Sequence, residues 1–298
     1  MSVRLPYRQV LDRIRYDRGF IAAIDQSGGS TPKTLIGYGL VPEAWSNEEE
    51  MFALVHRMRS RIMTSPSFNG EKLLGAILFE RTLNERIGGK PVPSLLSEKN
   101  IVPFVKVDQG LEPECSGVQL MKPIVGLERL LTRATELGAF GTKARSVVKA
   151  ANPSGIAAIV AQQFELAECI ADAGLLPILE PEYDIHAPDR AEGERILRAE
   201  LLEGLASLRG DRMVMLKLSI PVEPNSYREL MEHPRVARVA ALSGGYGRRE
   251  ACEKLAQNPG VIASFSRALL SDLRVTMTDE EFDAALAQAI DEIYRAST

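Results

Sequence analysis

The residues able to do chemistry lie inside or just beyond short apolar runs. Lys217 stands within Val214-Met215-Leu216-Lys217-Leu218-Ser219. Burial there disfavours its ammonium form, and the same penalty frees an amine to attack a carbonyl carbon. On an extended strand, Met213, Met215 and Lys217 share one face, with Leu216 and Leu218 on the other. Alone, Lys217 fits a purely structural pair with a buried glutamate equally well. Glu180 and Glu182 are two apart in Glu180-Pro181-Glu182, so both can point the same way. Repulsion between them would raise one pKa and give a usable acid and base. Lys143 and Arg145 repeat that spacing with positive charge, and Asp25 ends an apolar run. Each pair could be a solvated surface feature, but facing one another they form a charge-balanced site.

Two further clusters suit anions. Ser243-Gly244-Gly245 offers unhindered backbone N–H groups, and Arg267 could grip a phosphate with two parallel hydrogen bonds. Ser27, Gly28, Gly29 and Ser30 form a second cradle, with Lys106 as candidate counter-charge. Two anion sites on one rim point to a substrate with two phosphates.

These residues need elements to hold them. Apolar, β-rich runs occur at Phe20–Ile24, Leu74–Phe79, Ile101–Val107, Ala139–Lys143, Leu175–Leu179, Met213–Ser219, Val236–Leu242 and Val261–Phe265. Such runs are typical of parallel strands buried on both faces. Helical patterns separate most of them. Ser46 and Glu49 read as a capping box before the stripe Met51, Val55, Met58 and Ile62. Asn152 followed by Pro153 starts a helix that stops near Gly174, and Thr278 with Glu281 caps a last one. Eight alternations over 298 residues predict an α/β chain folded as a single (β/α)8 TIM barrel spanning 1–298. The alternative is an open doubly wound sheet, but no GxGxxG follows the first run. In a barrel, strand C-terminal ends carry the active site, which is where these polar residues stand.

Composition narrows the function. A net charge of -4 lacks the basic field that a nucleic-acid or membrane-surface partner requires. Three scattered cysteines and three histidines, with no CxxC or Cys/His spacing, predict neither disulfide framework nor metal site. Reduced thiols, no apolar leader in Met1–Pro6 and no membrane-spanning run predict a cytoplasmic protein. Oligomeric state is not legible, so a homo-oligomer stays open.

From about Gly19 to Arg267 the chain resembles the class I fructose-bisphosphate aldolase family. The resemblance rests on Ala23-Ile24-Asp25-Gln26-Ser27, Phe104-Val105-Lys106-Val107-Asp108, Lys143-Ala144-Arg145 and Pro177-Ile178-Leu179-Glu180-Pro181-Glu182. It continues through Leu216-Lys217, Leu242-Ser243-Gly244-Gly245 and Phe265-Ser266-Arg267. Seven motifs in one order are far more specific than any one of them. The resemblance implies a metal-independent, cofactor-free lyase of glycolysis and gluconeogenesis acting on a phosphorylated sugar. It makes Lys217 the Schiff-base lysine and Glu180 the general acid/base. Asp25 and Lys143 would assist proton transfer, with Glu182 and Arg145 in the same polar network. Ser243, Gly244, Gly245 and Arg267 would hold the C1 phosphate, and Ser266 counts among the substrate-binding residues. Ser27, Ser30 and Lys106 would lie towards the C6 phosphate. Animal members usually carry an acidic residue where Gln26 stands and glycine where Ser266 stands. They end in a long tail with a terminal tyrosine, whereas Tyr294 falls within the predicted last helix. These departures bear on rate, substrate breadth and tail gating, and leave the lysine chemistry intact. Rival readings are a transaldolase or monophosphate aldolase, which needs only one phosphate site, and a barrel kept as a scaffold, whose polar rim would be eroded.

Overall fold

A computed structural model of the chain describes residues 7–297, so the Met1–Pro6 stretch lies outside the described residues. Eight parallel strands follow one another in chain order around a nearly closed barrel: β1 Phe20–Ile24, β2 Leu73–Leu78, β3 Val102–Lys106, β4 Gly141–Val148, β5 Leu176–Tyr183, β6 Val214–Ser219, β7 Val236–Leu242 and β8 Ile262–Ala263. The sequential order is that of a single (β/α)8 TIM barrel. An open doubly wound sheet would instead reverse its strand order at a switch point.

The alternation of a strand sets the layers inside the barrel. A lower layer is apolar, built from Ile21, Ala23, Val102, Phe104, Ile178, Met215, Ala240 and Ile262. The helix Tyr7–Tyr16 plugs it from below with Val10, Leu11 and the fully buried Ile14. Phe104 fills the centre, and burying such a ring contributes about 1.5–3 kcal/mol. It fits because Gly141 has no side chain: a Cβ there would lie 2.8 Å from the ring. One period above this layer stand Asp25 over Ala23, Lys106 over Phe104, Lys143 over Gly141, Glu180 over Ile178 and Lys217 over Met215.

Several element boundaries differ from those expected. The runs predicted as Ala139–Lys143 and Leu175–Leu179 extend to Val148 and Tyr183, pairing Arg145 with Glu180 and Val147 with Glu182. Their charges do not end the ladder, because they neutralise one another inside the barrel. The last strand shrinks to Ile262–Ala263. The cap before Met51 is Asn47 rather than Ser46: Asn47 accepts from the Glu50 backbone N–H, and the Glu50 carboxylate accepts from Ser46 N. The helix Glu48–Thr64 still buries Met51, Val55, Met58 and Ile62, as the stripe requires. Asn152 caps Pro153–Asp172, and Thr278 with Glu281 forms the capping box of Asp279–Ala296. Among the described residues, no helix is long and apolar enough to cross a membrane.

Candidate active site

At the C-terminal mouth of the barrel, the inward charges join into one ion-paired run. Lys217 Nζ lies 2.8 Å from Glu180 Oε1. Glu180 Oε2 lies 2.8 Å from Lys143 Nζ, without the alignment of a hydrogen bond. Lys143 Nζ reaches Asp25 Oδ2 at 2.8 Å and Asp108 Oδ2 at 3.6 Å. Asp108 Oδ1 pairs with Lys106 Nζ at 2.6 Å, and Asp108 Oδ2 accepts from the Arg145 backbone N–H at 3.0 Å. Arg145 Nε meets Glu182 Oε2 at 2.6 Å. Strands supply Lys106, Lys143, Arg145, Glu180, Glu182 and Lys217, and Asp25 and Asp108 follow directly on the ends of β1 and β3, so the barrel framework fixes most of the run.

Burial decides what this run can do. The side chains of Lys217 and Glu180 are 5% and 4% exposed, so water screens their charges little. Lone charges would be very costly there, and it is the alternation of sign that makes the layer tolerable. Burial alone would raise the Asp25 pKa, but Lys143 and Lys217 outweigh it and hold this carboxyl well below its usual range. Glu180 is likewise pushed up by burial and drawn down further by Lys143 and Lys217, ending below its ordinary value. Desolvation opposes the Lys143 charge, yet Asp25, Glu180 and Asp108 raise its pKa well above that of a free lysine. Lys143 is therefore the fixed cation of the site. Glu180 is an ionised acceptor within direct proton-transfer distance of Lys217.

This corrects the expectation for the two glutamates. Glu182 does not raise the Glu180 pKa by repulsion, because Arg145 neutralises Glu182 while two lysines take Glu180. Lys106 differs too. Its Nζ donates to the Asp108 backbone carbonyl at 2.6 Å as well as pairing with the carboxylate. Ser30 Oγ donates to Ser27 O at 2.8 Å and accepts from Ser27 N at 3.1 Å, so these hydroxyls first serve the turn before the helix Ser30–Gly37.

The other anion cluster comes together at the end of β7. Gly244 and Gly245 have φ of 61° and 128°, backbone suited to glycine. A Cβ on Gly244 would stand 2.5 Å from Ile185 Cγ2, and one on Gly245 would stand 3.5 Å from Arg267 Nη2. The Arg267 guanidinium thus lies alongside the glycine turn, open to solvent.

Three contributors carried no role in the sequence reading. Asp108 is two residues beyond Lys106, a spacing that puts it on the same side. Arg59 is 1% exposed and donates to Thr82 Oγ1 at 2.7 Å and to the Gln26 carbonyl. Its signal was a charge at the i+4 position from Val55, within the apolar stripe. Burial lowers the Arg59 pKa to about 10 against the opposing pull of Asp25. Gln26, a departure from the animal pattern, receives Arg59 and donates to Ser266 Oγ.

The geometry defines a barrel enzyme built around a buried lysine. The family model for fructose-bisphosphate aldolase class-I matches residues 13–192, more than half of the chain. The chain belongs to the class I fructose-bisphosphate aldolase family, a family of lyases. Asp25, Lys106, Lys143 and Glu180 fall within that stretch, and Lys217 and Arg267 follow it. Among solved structures, the chain is similar to the fructose-bisphosphate aldolase of Plasmodium falciparum, with a TM-score of 0.72, 20% identity, and 97% of this chain and 93% of that one covered. It is also similar to a structural-genomics target from Corynebacterium glutamicum, with a TM-score of 0.54, 15% identity, and 98% and 93% covered. At these identities the likeness establishes the fold.

Proposed function

We propose that the protein cleaves fructose 1,6-bisphosphate reversibly to dihydroxyacetone phosphate and glyceraldehyde 3-phosphate through a Schiff base on Lys217. The observation that carries this reading is the unbroken run Lys217–Glu180–Lys143–Asp25, buried at the barrel mouth. A carboxylate at 2.8 Å can take the proton that Lys217 must lose before it attacks a ketone.

The deprotonated Lys217 Nζ adds to C2 of the open-chain sugar to form a carbinolamine. Glu180 returns a proton to the C2 hydroxyl, water leaves, and an iminium forms. Lys143, held charged, stabilises the carboxylates on either side of the step. A carboxylate, Glu180 or Asp25, then removes the proton from the C4 hydroxyl. The C3–C4 bond breaks, its electron pair moves into the iminium to give an enamine, and glyceraldehyde 3-phosphate departs. Protonation at C3 and addition of water release dihydroxyacetone phosphate and restore the Lys217 amine. The iminium is the electron sink, so the residues in place suffice without a metal or organic cofactor.

Arg267 with Ser243, Gly244, Gly245 and Ser266 would hold the C1 phosphate, and Lys106, Ser27 and Ser30 would face C6. Arg145 and Glu182 would keep the sugar hydroxyls in register. We read residues 1–298 as one aldolase domain of a cytoplasmic enzyme of glycolysis and gluconeogenesis, with a phosphorylated sugar as its partner and neither nucleic acid nor membrane required. Cys115, Cys169 and Cys252 are unpaired, which suits a reducing compartment. The test is triose phosphate release from fructose 1,6-bisphosphate by the wild type and by Lys217→Ala. Turnover should vanish in the variant. Wild-type protein with no cleavage would overturn the reading.

A further inference from the structure

The barrel ladder runs from β1 to β8 and leaves one seam between the first strand and the last. A backbone hydrogen bond from Ala23 N to Phe265 O, at 3.1 Å, crosses it. Directly above, Gln26 Nε2 donates to Ser266 Oγ and to Ala23 O. The other end of that amide, Oε1, faces Arg59 Nη2 at 3.4 Å, and the same Arg59 nitrogen donates to the Gln26 carbonyl. Arg59 is itself fixed by Thr82 Oγ1, beyond β2. Both ends of the amide are therefore used: its NH₂ has two acceptors and its oxygen faces a guanidinium. A carboxylate at this position would turn an oxygen towards the Ala23 carbonyl.

The seam lies between the two anion clusters of the rim. Asp25 and Ser27 flank Gln26 on one side, and Arg267 follows Ser266 on the other. A serine hydroxyl has one proton and two lone pairs. With the Gln26 amide occupying a lone pair, the Ser266 proton is left to donate to an anion beside Arg267. We propose that Gln26, locked by Arg59, is a positioning residue that ties the two rims of the seam and aims the Ser266 hydroxyl at the phosphate held by Arg267. This deepens the aldolase reading and rests on it for the identity of the substrate. The residues that depart from the animal pattern at the two positions thus touch each other and act as one unit.

The test is a cycle of Gln26→Ala, Ser266→Ala and the double variant, with Gln26→Glu added. Two quantities are read: binding of inorganic phosphate by calorimetry, and kcat/KM for fructose 1,6-bisphosphate. A lost hydrogen bond of this kind weakens binding by about tenfold. Each single variant should lose about that factor in both quantities, and the double variant should lose no more than the worse single. Gln26→Glu keeps its partner Arg59 and should fold, yet a carboxylate would draw the Ser266 proton to itself and add negative charge at the rim. It should therefore bind phosphate more weakly than Gln26→Ala. A packing role alone predicts the reverse order, with the near-isosteric glutamate milder. Multiplicative losses in the double variant, or phosphate binding in Gln26→Glu equal to or better than in Gln26→Ala, would overturn the proposal. Coupled phosphate losses in a protein that cleaves no bisphosphate would sink the substrate assignment and leave the bridge standing. Full phosphate binding in all variants of an active aldolase would sink the bridge alone.

Discussion

Lys143 Nζ stands 2.8 Å from Asp25 Oδ2 and the same distance from Glu180 Oε2, so one buried cation holds together the carboxylate that follows β1 and one carried by β5. The pairing explains why these carboxyls are ionised despite burial, and it has consequences for pH. Asp25 and Glu180 have folded pKa values below their unfolded ones, so their contribution to stability is full above the ordinary carboxylate range and lost as pH falls below about 4. Lys143 has a raised folded pKa, so its contribution is full below about pH 10 and lost as pH climbs beyond. Asp25→Asn should flatten the acid-side fall in thermal midpoint. An unchanged acid profile in that variant would show that Asp25 is not held ionised by Lys143.

Glu180→Gln should lower kcat far more than it weakens ligand binding. General acid/base groups typically contribute about 10²–10⁴-fold. The substitution also leaves Lys217 and Lys143 facing each other without the anion between them, so thermal stability should fall with activity. Steady-state kinetics separate the two roles: a normal kcat with raised KM would make Glu180 a binding residue only.

Lys106 Nζ is held by the Asp108 carboxylate and carbonyl, which leaves one of its three donors for a substrate. Lys106→Ala should depress kcat/KM for fructose 1,6-bisphosphate by about 10- to 100-fold while sparing fructose 1-phosphate. Arg267→Ala should depress both. If the ratio between the two substrates does not change in Lys106→Ala, Lys106 belongs to the Asp108 pair alone and a monophosphate aldolase becomes the better reading.

Activity should survive exhaustive chelation if, as proposed, a Lys217 iminium supplies the electron sink that a metal provides in other aldol chemistry. Loss of turnover with EDTA, restored by zinc or cobalt, would contradict this.

The fold was legible because period-two alternation is absolute on a strand. Once Lys217 is placed over Met215 and Glu180 over Ile178, the inward face follows. The strand ends were less legible: charge at Arg145 and Glu182 looks like a strand end, yet here it is the inside of a longer ladder. Most partners of the charges were not legible. The two-residue spacing puts Asp108 beside Lys106, but nothing in the spacing states that Glu182 takes Arg145, or that Arg59 reaches Gln26 from a helix. Those pairings depend on strand register and on helix docking, both set by the whole barrel. For the same reason the repulsive glutamate pair anticipated from Glu180-Pro181-Glu182 gives way to Glu180 held between two lysines and Glu182 held by Arg145.

The most direct test of the central claim is borohydride reduction in the presence of dihydroxyacetone phosphate, followed by peptide mass mapping. The buried amine beside Glu180 predicts irreversible inactivation and a single reduced adduct on the peptide containing Lys217. No adduct, or an adduct on Lys143 or Lys106 with Lys217 unmodified, would contradict the account.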